Sequence, residues 1–240
     1  MITFELNGDN FSTPKNWEEI KFGKFLKYLS EVAPLMPKAL TEIYEGENML
    51  KAWQQLTKKD KAKCFDFFAS VVGFWCNLPK DTITESMDIE QLEAAYWAIE
   101  LDLSIYDFKP SEDFTGFLIG NTEYLLPKQH MIGSTVIEFT EAANFELNFE
   151  GVENGNWVAM LDVMAVICRP KGEVYNYTEA NHIARKNTFK NVTMDNILNV
   201  SFFLLKLNSI LKDNLLIYSL QRYKDKQNER QPLVKNTVGI

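Results

Sequence analysis

The chain has 240 residues, 46% of them hydrophobic and 13% aromatic, enough to bury a sizeable core and unlike a disordered chain. Its formal net charge of -8 argues against nucleic-acid binding, because phosphate recognition needs clustered Lys and Arg. The length allows one large domain or two small ones.

Cys64, Cys76 and Cys168 are an odd set without close spacing, so they read as buried free thiols in a reducing compartment. The opening residues lack the basic start and apolar core of a signal peptide. No apolar run approaches the roughly 18 residues that span a bilayer. The longest, around Phe202, is interrupted by Lys206, Asn208 and Lys212. These features predict a cytoplasmic protein with no membrane partner.

Residues Ile2 to Leu6 alternate as a short strand. Asn7-Gly8 supplies a tight turn, Phe11 to Thr13 return, and Pro14 ends the ladder. From Trp17 the period becomes helical, with Trp17, Ile20, Phe25, Tyr28, Leu29 and Val32 near one face. Pro34 and Pro37 close this helix. Shorter helices are expected over Lys38 to Tyr44 and from near Leu50 to near Leu56. Thr57 caps a fourth, which carries Cys64, Phe65, Phe68, Val71, Val72 and Trp75 and stops at Leu78-Pro79. Another runs from about Met87 to Ile99, with Asp88 and Gln91 spaced as a capping box. Asp107 to Asp113 reads as a connector.

Phe117 to Pro127 echoes Phe4 to Pro14: two apolar residues, an Asn/Gly pair, an aromatic and a proline recur at the same offsets. Both segments read as hairpins. An isolated hairpin is marginal in water, so the two are expected to pair into one small antiparallel sheet, with coincidence as the alternative. Ser134 to Phe145 follows as a helix. A Gly/Asn-rich loop leads to Trp157 to Cys168, apolar on nearly every side and so a helix buried among others.

Asp162 is the one charge in that run. A buried charge is costly unless paired, so Asp162 should meet an arginine or an exposed edge. Arg169, Pro170, Gly172 and Glu173 form a sharp corner after it, and Arg185 can reach back from the next segment. A helix from Thr178 to about Lys190 and a long one from Thr193 to about Gln221 complete the order. The tail beyond Arg222 is polar and aperiodic.

The pattern predicts an α+β, mostly α-helical fold, a helical bundle with two short hairpins. The expected parts are 1-106, 107-221 as one compact unit with the first, and a tail over 222-240. No histidine has a second ligand at metal spacing, and no glycine-rich phosphate loop occurs, so neither metal nor cofactor is expected. Cys168 and His182, beside Arg169, are the residues an enzyme would use as nucleophile and base. Cys168 ends a buried run, which favours a core role, and no catalytic residue is assigned.

The opening hairpin with Pro14 and Trp17-Glu18-Glu19-Ile20, the Phe117-to-Pro127 segment, Ile137-Glu138-Phe139 and the Ile167-to-Glu173 corner with Arg185, Phe189 and Phe202-Phe203 resemble tailed-bacteriophage morphogenesis proteins. The resemblance covers most of the chain as a pattern. It implies a non-enzymatic tail assembly chaperone, or a permanent head–tail connector or tail ring subunit. The expected partners are tape-measure, tail or connector proteins, with room for a homo-oligomer. The setting is the host cytoplasm or the virion. Trp17 and Phe22 near the first helix, and Leu233 and Val234 in the tail, are the candidate partner contacts.

Overall fold

The computed structural model of the chain describes residues 2–6, 8–44, 49–104, 107–127, 157–174 and 178–205. Helices dominate them: α1 (Phe22–Glu31), α2 (Lys38–Tyr44), α3 (Met49–Gln55), α4 (Lys58–Cys76), α5 (Lys80–Ser86), α6 (Ile89–Asp102), α7 (Trp157–Ile167), α8 (Glu179–Phe189) and α9 (residues 194–205). Side-chain caps start three of these where the sequence suggested. Thr57 accepts from the Asp60 N–H at 3.1 Å, Asp88 from Gln91 at 2.8 Å and Thr178 from Asn181 at 3.2 Å.

α1 begins at Phe22 rather than at Trp17. Trp17–Glu19 is a single 3-10 turn capped by Asn16, and Ile20 and Lys21 are extended. The reason is tertiary. The Phe22 and Gly23 N–H groups donate to the Val192 and Lys190 carbonyls at 2.7 and 2.8 Å, and the Met194 N–H donates to Ile20 at 2.8 Å. The entry segments of α1 and α9 thus satisfy one another's first amides. A Cβ on Gly23 would lie 3.1 Å from Lys190, so this approach suits glycine.

α5 has little apolar periodicity and was not expected. Its one buried residue, Ile83, packs beside Gly73 near the end of α4. Asn77, at φ 57°, ends α4 in the left-handed region, and the Leu78 N–H closes onto the Gly73 carbonyl at 2.8 Å.

The hairpins are β1 (Thr3–Leu6) with β2 (Asp9–Ser12), and β3 (Gly116–Ile119) with β4 (Thr122–Leu125). Gly8 and Gly120 take positive φ at their turns, as the sequence required. The two hairpins do not pair with each other. They form separate antiparallel sheets, β1-β2 and β3-β4-β5, the last strand being Arg169–Pro170. Each hairpin finds local cover instead. The Cys76 thiol at the end of α4 meets the Ser12 carbonyl at 3.6 Å, and the Lys171 N–H donates to the Glu123 carbonyl at 2.9 Å.

The core crosses the expected boundary at residues 106 and 107. One buried cluster runs from Phe4 and Leu6 through α4 and α6 to α7 and α9. Phe25 of α1 meets Trp157 of α7 edge-on at 5.5 Å. The densest part is aromatic: Phe68 stacks on Tyr96 at 3.7 Å and on Trp53 at 5.5 Å. Full burial of each such ring contributes on the order of 1.5–3 kcal/mol.

Candidate functional site

The corner after α7 gathers most of the charge that the core has to accommodate. Asp162 Oδ1 accepts from Lys186 Nζ at 2.5 Å and meets His182 Nε2 at 3.0 Å. A lysine and a histidine stand where an arginine was expected, and helix geometry gives the reason. His182 and Lys186 are four residues apart on α8 and both turn toward Asp162, whereas Arg185 is rotated by about 100° from Lys186 and meets α7 three residues further on. Arg185 reaches the end of α7 instead, donating to the Ala165 carbonyl at 3.1 Å and pairing with Glu173. There it satisfies a last-turn carbonyl and complements the helix dipole.

The remaining corner residues build the turn. Arg169 and Pro170 face Leu125 and Tyr124 across the sheet, and Gly172 takes φ 84°. The spacing of Asp162, His182 and Lys186 was readable as an i, i+4 pair opposite a charge, but only once the two helices were known to pack.

Cys168 is fully buried beside this corner. Burial pushes its thiol above the ordinary cysteine value, and the Arg185 guanidinium opposes this. A thiol kept protonated is a poor nucleophile, which counts against the catalytic reading of Cys168, His182 and Arg169. Tyr124 is likewise raised by burial and pulled back by Arg185.

A second polar cluster escaped the sequence reading. Tyr44 Oη and Tyr96 Oη lie 2.7 Å apart, beside the Glu100 carboxylate. Tyr96 and Glu100 are four apart on α6, so the pair was legible; Tyr44 comes from α2 and was not. Burial raises the Glu100 carboxyl above its ordinary 4.5, while the two tyrosine hydroxyls draw it down. Burial also raises the Tyr28 phenol, with the Glu100 charge adding to it.

The candidate partner contacts near α1 are core residues. Trp17 is 7% exposed and lies edge-on to Phe25 at 5.7 Å, and Phe22 is 0% exposed where its N–H docks on the Val192 carbonyl. Leu233 and Val234 lie outside the described residues, as do the expected helix Ser134 to Phe145, the second half of the last helix and His130. Exposed apolar side chains occur elsewhere. Leu101 is 75% exposed, Leu118 68%, Leu205 41% and Phe202 36%. Phe108 stacks on Phe202 at 6.0 Å, and Ser111 donates its N–H to Asn199 at 2.8 Å, which ties the connector to α9.

Among the described residues no cluster of three or more His, Cys, Asp or Glu side chains could hold a metal. None of their helices is long and apolar enough to cross a membrane. The fold defines a mainly helical α+β protein with polar clusters that brace its helices. No protein-family model matches the chain, nor does a curated protein or a solved structure.

Proposed function

We propose that the protein is a non-enzymatic assembly protein of a tailed bacteriophage, acting as a tail assembly chaperone. It holds another phage structural protein, such as the tape-measure protein, against an apolar helix surface. The observation that carries this reading is the two-sided character of α9. Ile197, Ser201 and Leu204 face the core, while Leu205 stays exposed and Phe202, stacked on Phe108, stays exposed in part. A helix apolar on two sides calls for further cover. The net charge of -8 would keep such a complex soluble.

A permanent ring or connector subunit is the second reading. It is favoured by the outer edge of β3, which has no neighbour among the described residues and can accept a neighbour's strand. Quantitative mass spectrometry of purified particles and infected cells separates the two. Abundance in cells with near absence from particles is the expected result. A fixed ratio to the portal protein would overturn the chaperone reading. Phe202→Glu should weaken co-purification with the tape-measure protein; undiminished recovery would remove α9 from the interface.

A further inference from the structure

β3 is an edge strand, and its outer backbone row has no neighbour among the described residues. The register fixes which groups are left over. The Leu126 N–H donates to the Thr115 carbonyl at 2.9 Å, so Thr115 faces β4. Antiparallel alternation turns Phe117 and Ile119 the same way, and directs the backbone groups of Gly116 and Leu118 outward. Glu123, opposite Leu118, accepts from Lys171 on the far side, as this alternation requires. Edge strands are usually blunted by charge, proline or a bulge. Gly116-Phe117-Leu118-Ile119 has no charge and no proline, and Leu118 projects into solvent.

We propose that β3 pairs with β3 of a second copy of this chain, antiparallel about a twofold axis at Leu118, joining two three-stranded sheets into one. The edge is complementary to itself, as a twofold contact demands. Leu118 meets its own copy, and Gly116 comes opposite Gly120, where neither has a side chain to obstruct the approach. Charge also selects this occupant. Two copies at -8 repel each other, and they approach with least cost where the surface is neutral. The strand itself carries no charge, and Glu123, opposite Leu118 on β4, is already paired with Lys171 at 2.8 Å. A charged partner would find nothing on this strand to read. The contact is short, so a dissociation constant between about 10 µM and about 1 mM is expected. The inference does not rest on the chaperone reading, and it fills with a second copy the same edge that the ring reading uses.

Sedimentation velocity on the full chain, from about 10 µM to about 1 mM, tests it. Wild type should pass from monomer to dimer. Leu118→Lys should stay monomeric, because it sets one cation against another at the axis. Leu101→Lys, the same change at an exposed leucine of α6, should behave as wild type. A wild type that stays monomeric overturns the proposal, as does a dimer that survives Leu118→Lys. Should Leu118→Lys fail to fold, Leu118→Cys decides. A disulfide-linked dimer on mild oxidation supports the twofold pairing, and a dimer that forms no such link overturns it.

Discussion

Glu100 has a folded pKa above its unfolded value, the reverse of a carboxylate held by a cation. Burial is the larger cause and the Tyr44 and Tyr96 hydroxyls only moderate it. Above 4.5 the folded chain therefore holds more proton than the unfolded chain. The stability this group contributes is complete below 4.5 and is lost as pH rises through the folded value. Glu100→Gln removes the titration. Its melting temperature relative to wild type should rise between acid pH and neutrality, and a difference that does not change with pH would refute this. The cysteines carry a second expectation. Burial pushes the Cys76 thiol up to about 11, with Lys24 opposing. Labelling of native Cys76 by an aromatic disulfide should be slow at neutral pH and accelerate about tenfold per pH unit up to that value. Cys168 should react only when the chain unfolds.

At the scale of elements, Gly73 shows how a junction overrides propensity. Alanine inside a helix is normally favoured over glycine by about 1 kcal/mol. Here a Cβ would lie 2.8 Å from the Leu78 carbonyl oxygen, a backbone atom that cannot swing aside. Overpacking of this kind costs about 1–3 kcal/mol, so the clash wins. Gly73→Ala should lower the urea midpoint of unfolding, and an increase would show that the α4–α5 junction gives way. The caps at Thr57, Asp88 and Thr178 were legible because a cap is a local bond between residues three apart. α5 was not legible, because Ile83 alone anchors it and its partner surface belongs to α4. The corner was half legible. Its turn residues lie within a short stretch, but the choice of Lys186 over Arg185 as the partner of Asp162 depends on how α8 is rotated against α7.

For the whole molecule, the joint between Ile20–Gly23 and Lys190–Met194 binds the two ends of the described chain. Gly23→Val would press a branched side chain onto Lys190, whose Cβ and carbonyl already sit at the limit of contact. Two backbone bonds at about 0.5–1.5 kcal/mol each would weaken. Faster amide exchange at Phe22 and Met194 is expected, with a loss of about 1–3 kcal/mol in stability. Unchanged exchange would show that the joint does not hold the halves together.

The mainly helical α+β class, the turn glycines, most helix starts and the apolar α7 could be read from the residues alone, because each rests on periodicity or on bonds within a few residues. Tertiary structure alone decided that the hairpins stay in separate sheets and that Trp17 and Phe22 are core. It also decided that Tyr44 joins Tyr96 and Glu100. These depend on contacts between residues far apart in the chain. Periodicity marks a face as apolar without saying which surface covers it.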